Sequence, residues 1–204
     1  MTQYAIAMDL DRCVGCLACS TACKQANEIG PGKFLNKIKR VGPNPKFEGA
    51  QYPDVEMYFM VQQCQHCANP ECVDVCPTGA SVKREDGIVT IDAEQCIGCQ
   101  ACMPVCPYGA RYLDEDTGVV NKCNLCSKLV DEGDIPMCVS QCTGMARYFG
   151  DAEGDIRDFK GVNGLTLGEV CKDFTDDQVY RYDDSGNGPS FFYILRHKVW
   201  HGIE

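Results

Sequence analysis

Sixteen of the 17 cysteines in this 204-residue chain fall into four sets of four, and any fold must gather them. The sets are Cys13, Cys16, Cys19 and Cys23; Cys64, Cys67, Cys72 and Cys76; Cys96, Cys99, Cys102 and Cys106; and Cys123, Cys126, Cys138 and Cys142. Only Cys171 stands apart. Cysteine at this density organises a fold rather than decorating it. Disulfides fit poorly, because the count is odd, no export signal opens the chain, and neighbours two or three residues apart rarely reach cystine geometry. Zinc explains paired C-x2-C motifs, since two pairs make one tetrahedral site, but leaves the third and fourth cysteines of each run unexplained.

Sets one and three have the spacing C-x2-C-x2-C-x3-C, and Pro107 follows the last cysteine of set three. That spacing holds a cubane of four irons and four sulfides. Three cysteines on a tight loop reach three corners of one cluster, while the fourth rides a helix pointing away and serves a second. Gly15 and Gly98, each just before the second cysteine of its set, supply backbone freedom where N–H groups must wrap an anionic core. Sets two and four are stretched by "ANPE" and "SKLVDEGDIPM". Read alone, each admits zinc; beside the two regular sets, they read as further iron–sulfur sites.

The repeat extends beyond sulfur. "CPTGA" and "CPYGA" each precede two alternating segments joined by a Gly-containing turn, "SVKREDGIVTID" and "RYLDEDTGVV", which predict short β-hairpins. Each hairpin delivers the chain to the next cysteine set, giving a module of strand, cluster loop, short helix and hairpin. "YAIAMDLDRC" and "EMYFMVQQC" enter sets one and two as strands, and "CTGMARYFGD" echoes "CPYGARYLDE" with Thr143 in place of proline.

The remaining segments are less specific. Residues 25–57 are rich in Gly and Pro and carry Lys33, Lys37, Lys39, Arg40 and Lys46; they read as a solvated surface loop, with a docking loop for a partner as the alternative. Residues 151–204 form an acidic extension that wraps the cluster domains, with Ser190 to Leu195 as a closing strand and Cys171 as a buried structural thiol. His66 lies within "CQHC", but four thiolates already complete each site, so a hydrogen-bonding role near a cluster is expected. Trp200 carries no special expectation.

No stretch approaches the roughly 20 apolar residues of a membrane helix, so no transmembrane segment is expected. The formal charge of −10 disfavours nucleic acid, which calls for an excess of Lys and Arg. Sixteen thiolates and four oxidised cubane cores would take the charge to about −18. Such self-repulsion predicts a chain that is unfolded without its metal.

Over at least Tyr4 to Gly150 the chain resembles the four-cluster iron–sulfur subunits of molybdopterin oxidoreductases of the dimethyl sulfoxide reductase family. The motifs are "CVGCLACSTACKQAN", "CQHCANPECVDVCPTGA", "CIGCQACMPVCPYGARY" and "KCNLC" followed by "PMCVSQCTGMARYFGD". The resemblance implies an α+β fold of two bacterial-ferredoxin-like halves with pseudo-two-fold cluster pairing, a loop insertion and a C-terminal extension. One half comprises 1–24 with 115–150, the other 58–114; the insertion is 25–57 and the extension 151–204. The resemblance also implies four ligand sets: Cys13, Cys16 and Cys19 with Cys142; Cys123, Cys126 and Cys138 with Cys23; Cys64, Cys67 and Cys72 with Cys106; and Cys96, Cys99 and Cys102 with Cys76. Relatives with a tryptophan at one ligand position hold a three-iron cluster; this chain keeps every cysteine.

Implied with it are four [4Fe–4S] clusters and electron transfer without catalysis. Partners are a large molybdopterin catalytic subunit and, as a further possibility, a membrane anchor binding quinone or haem. The set-three cluster faces that anchor. The periplasmic side, reached by co-export with a signal-bearing partner, is the expected location, and the cytoplasm the alternative. A hydrogenase or formate dehydrogenase wire and a free polyferredoxin are the rival functions, and a zinc scaffold is the non-redox one.

Overall fold

The computed structural model describes residues 2–202. Its strands are β1 (Tyr4–Asp9), β2 (Asn36–Pro45), β3 (Val55–Gln63), β4 (Ser81–Lys83), β5 (Val89–Ile91), β6 (Tyr112–Asp114), β7 (Val119–Asn121), β8 (Arg147–Asp151), β9 (Val179–Tyr180) and β10 (Phe192–Ile194). Short helices α1 (Ala18–Ala26), α2 (Glu71–Asp74), α3 (Ser127–Asp131), α4 (Met137–Ser140) and α5 (Leu167–Val170) lie between them. The class is α+β, as expected. No helix among the described residues is long and apolar enough to cross a membrane.

The largest sheet has the order β8-β1-β10-β9. Its centre, β1, reads "YAIAMD", and every residue from Ala5 to Asp9 is buried, the pattern of a strand covered on both faces. On one side β1 pairs antiparallel with β8, and on the other it pairs parallel with β10. The acidic extension therefore supplies two strands of the sheet as well as a covering, and β10 is the closing strand read from Ser190 to Leu195. Three buried or half-buried ionic contacts fasten it: Arg196 donates to both carboxylate oxygens of the wholly buried Asp9, at 3.1 and 2.8 Å, and Lys198 donates to Asp11 at 2.9 Å.

The predicted hairpins form as β4–β5 and β6–β7. One expectation is corrected. The segment read as a solvated loop contains β2, which pairs antiparallel with β3 from Asn36↔Gln63 to Pro45↔Val55, interrupted by a bulge between Val41 and Asn44. The physical reason lies in Leu35, Asn36, Ile38 and Val41, which turn inward while Lys37, Lys39 and Arg40 face solvent. Polar composition and prolines hid that alternation. The hairpin tip carries Phe47 and Tyr52, both exposed, and Lys33 ties the segment's start to Asp114 and to Asp116, the latter at 2.6 Å.

Candidate metal centre

Strand pairing explains how cysteines far apart in sequence meet. Met8, five residues before Cys13, pairs with Arg147, five after Cys142. Ile91, five before Cys96, pairs with Ser81, five after Cys76. The same offset thus brings the last cysteine of one set beside the first of another, once across the long β1–β8 ladder and once within a hairpin. The results are two cavities, one lined by Cys13, Cys16, Cys19 and Cys142, the other by Cys76, Cys96, Cys99 and Cys102.

The other eight thiols meet one another in the same way. Cys23, on the face of α1 that also buries Cys19 one turn earlier, sits in the field of Cys138 and Cys126. Buried Cys123 faces Cys23 and Cys138 and, in turn, Cys64. Cys67 lies among Cys64, Cys72 and Cys106. Asn124 donates to Asn27 at 3.0 Å, binding the loop of set four to the end of α1, and Gln62 donates to the Tyr108 carbonyl at 2.8 Å, joining sets two and three. Thiols from distant sets thus meet in shared groups, and Cys16 and Cys99 are the two exposed cysteines among them.

The two loop glycines do distinct work. Both have φ of +66°, a region that L side chains rarely adopt. At Gly15 a Cβ would lie 2.7 Å from the Phe59 ring; at Gly98 it would lie 2.3 Å from the Gly118 carbonyl oxygen. The first pins the cluster loop under β3 and the second under the β6–β7 turn.

Donors converge on the sulfurs. Backbone N–H groups of Ala146 and Ser81 reach Cys142 and Cys76 at 3.2 and 3.4 Å. The Thr143 hydroxyl lies 3.3 Å from Cys16, Asn27 donates to Cys23 at 3.6 Å, and Asn187 donates to Cys67 at 3.1 Å. Arg111 reaches Cys72 at 2.9 Å and Arg147 reaches Cys138 at 3.4 Å. Donors aimed at sulfur favour the thiolate. Burial opposes it: burial first, then the neighbouring sulfurs, pushes Cys23 and Cys67 up to about 12 and raises Cys123 and Cys138. Cys16 and Cys76 move the other way, Cys16 mainly through the Thr143 hydroxyl and Cys76 through several hydrogen bonds that outweigh its burial.

Crowded, buried sulfurs of this kind call for a cationic core. Among the described residues, no three His, Cys, Asp or Glu side chains close on a single metal ion. Of nine buried side-chain polar atoms without a protein partner among the described residues, five belong to residues at the sulfurs: Ser20 Oγ beside Cys19, Ser81 Oγ beside Cys76, Arg111 Nη1, and Arg147 Nε and Nη1. In a native interior such orphans are few and each needs an acceptor or donor. Inorganic sulfide bridging iron supplies one, so the donor set fits iron–sulfur cubanes.

Other residues are placed plainly. His66 is wholly buried, its Nδ1 accepts the Val89 N–H at 3.0 Å, and its ring stacks on Phe191 with centroids 5.8 Å apart. Burial first, then Lys122 and Arg111, holds it well below the usual imidazole range, so it is neutral. Cys171 is buried, pushed up to about 11 by burial and by Asp9. Trp200 stacks on Tyr180 with centroids 4.9 Å apart. Asn187 was not anticipated: nothing in "DDSGNGP" signals a sulfur contact, and only the tail's return over the second loop, where Ala68 donates to the Gly188 carbonyl at 2.7 Å, creates it.

Comparison with known proteins points to the same chemistry. Residues 55–152 match the family model described as a 4Fe-4S dicluster domain, and residues 10–26 match a 4Fe-4S binding domain. The chain is 37% identical to a thiosulfate reductase electron transfer subunit of Salmonella typhi, over 94% of this chain and 91% of the relative. It is 42% identical to a sulfite dehydrogenase subunit of Allochromatium vinosum, over 74% and 70%. It is 40% identical to one of the chains of an anaerobic dimethyl sulfoxide reductase of Escherichia coli, over 73% and 74%.

Proposed function

This chain belongs to the ferredoxin-type iron–sulfur electron-transfer subunits of molybdoenzyme reductases, and from that premise we propose that it holds four [4Fe–4S] clusters as one wire. In this reading the ligand sets are Cys13, Cys16, Cys19 and Cys142; Cys23, Cys123, Cys126 and Cys138; Cys64, Cys67, Cys72 and Cys106; and Cys76, Cys96, Cys99 and Cys102. They make two ferredoxin-like halves related by a pseudo-two-fold. The observation that supports it is the pair of cavities in which the last cysteine of one set joins three of another, Cys142 with Cys13, Cys16 and Cys19, and Cys76 with Cys96, Cys99 and Cys102.

The clusters, when bound, supply one-electron chemistry, and the chain supplies spacing, solvent exclusion and charge. It is itself a non-catalytic subunit. Its end at Cys16 is flanked by exposed Val14 and Leu17, and its end at Cys99 by exposed Ile97, giving each terminal site an apolar collar for a partner. The reading assigns one end to a molybdopterin catalytic subunit and the other to a quinone- or haem-binding membrane partner.

Iron and acid-labile sulfide analysis of the purified chain tests the count. About 16 of each per chain are expected from four cubanes; about 12 of each with one equivalent of zinc would remove one cluster from the wire.

A further inference from the structure

Two buried arginines, Arg147 and Arg111, each reach a cysteine sulfur of one thiol group beside cysteines of another. Arg147, 1% exposed, donates to Cys138 of one group and lies in the field of Cys19 and Cys142 of its neighbour. Arg111, 6% exposed, donates to Cys72 and lies in the field of Cys102. Lys122, 3% exposed, is buried too, but its Nζ donates to the Cys123 carbonyl at 2.8 Å and to that of Val89, and to no sulfur.

None of the three forms an ion pair with a carboxylate among the described residues. An arginine buried without a carboxylate is costly, and breaking a buried charge pairing costs several kcal/mol elsewhere in proteins. Arg147 has one neutral acceptor, Gln63 Oε1 at 2.9 Å, and two nitrogens without any; Arg111 has one such nitrogen. These positions are equivalent in the repeat, each five residues after the last cysteine of its set, in "CPYGARY" and "CTGMARY".

We infer that Arg147 and Arg111 are countercharges, each set between two thiol groups, that raise the reduction potentials of the clusters on either side. The inference rests on the four-cluster reading above. One-electron reduction adds a negative charge and no atom to a site that already carries four thiolates. A cation within contact of the sulfurs stabilises the reduced state more than the oxidised one, and the low dielectric around it sharpens the effect. Placed between two clusters, one cation acts on both.

Redox titration of the iron-loaded full chain, followed by electron paramagnetic resonance, tests this with Arg147→Met, Arg147→Lys and Arg111→Met. Arg147→Met is expected to lower two of the four potentials by at least tenfold in the one-electron equilibrium constant, 59 mV for each tenfold. Arg111→Met is expected to lower the other two, and Arg147→Lys to stay near the parent. A Met variant with full iron content and unchanged potentials overturns the inference, as does a Lys variant shifted as far as Met. Should Arg147→Met lose its clusters, retention by Arg147→Lys supports the countercharge, and loss in both assigns Arg147 to packing instead. A parent chain lacking four cubanes defeats the underlying reading, and the iron and sulfide analysis registers that separately.

Discussion

The pair of segments that carries cysteine sets one and four and the pair that carries sets two and three differ in what supports their thiols. The first rests on a four-stranded sheet whose central strand is buried from Ala5 to Asp9, with Phe149, Phe192 and Ile194 on its neighbours. The second has the three-residue strands β4 and β5, and its helix α2 buries no residue. Cysteines aside, its buried apolar side chains are Tyr58, Met60 and Val61 on the entering strand β3, and beyond Cys64 only Ala80, Ile88, Val89 and Tyr108. Burying a large apolar side chain stabilises by about 1.5–3 kcal/mol, so a few cannot offset the entropy of ordering that many residues. One region is a small protein that binds metal; the other is organised by the metal.

The largest test of this contrast is iron removal. After oxidative stripping, hydrogen–deuterium exchange is expected to show amides of residues 64–110 exchanging as unstructured chain, while β1 and β8 retain roughly tenfold or greater protection. The expectation of an unfolded iron-free chain is thereby sharpened to an uneven loss. Equal protection in the two regions would erase the distinction.

A narrower test strikes the sheet alone. Arg196→Ala leaves the Asp9 carboxylate, buried on β1 beside β10, without its cation, and removing one partner of a buried pair costs about 3–5 kcal/mol. Because Asp9 Oδ1 keeps the Asp11 and Arg12 N–H groups, the lower figure is expected. Exchange at β10 should accelerate while the paramagnetic signals of the second region stay as they were. A change in those signals would mean that the extension stabilises both regions equally.

What the sequence made legible divides along similar lines. The cysteine sets, the hairpins β4–β5 and β6–β7, and the strands entering sets one and two follow from local spacing and alternation. The β1–β10 pairing does not, because a parallel ladder between Ala7 and Phe192 leaves no mark in either segment alone. The insertion's strand was masked by Pro43 and Pro45 and by its outward lysines. The arginines of "CPYGARY" and "CTGMARY" were visible as a repeat, but their burial between thiol groups depends on strand pairing, and a charged residue read locally is assigned to the surface.

The smallest expected effect is one of slope, and it sharpens the contrast between thiols inside the wire and at its tips. In the iron-free chain, burial pushes Cys23 up to about 12 from an ordinary value of 9.0. A raised thiol value stabilises the fold below about pH 9, and that contribution is lost as pH climbs through about 12, because the unfolded chain ionises first. With iron bound the sign reverses: the ligand is the thiolate, protons compete with metal, and acid expels the cluster. Circular dichroism of the stripped chain should therefore decline toward alkaline pH, while iron release from the loaded chain should rise toward acid. Cys16, lowered by the Thr143 hydroxyl and the Ala18 N–H, contributes no alkaline decline, so substituting Cys16 by Ser should leave the stripped chain's slope intact and Cys23→Ser should flatten it. Equal slopes for the two variants would place the stabilising protons elsewhere than at the buried end of α1.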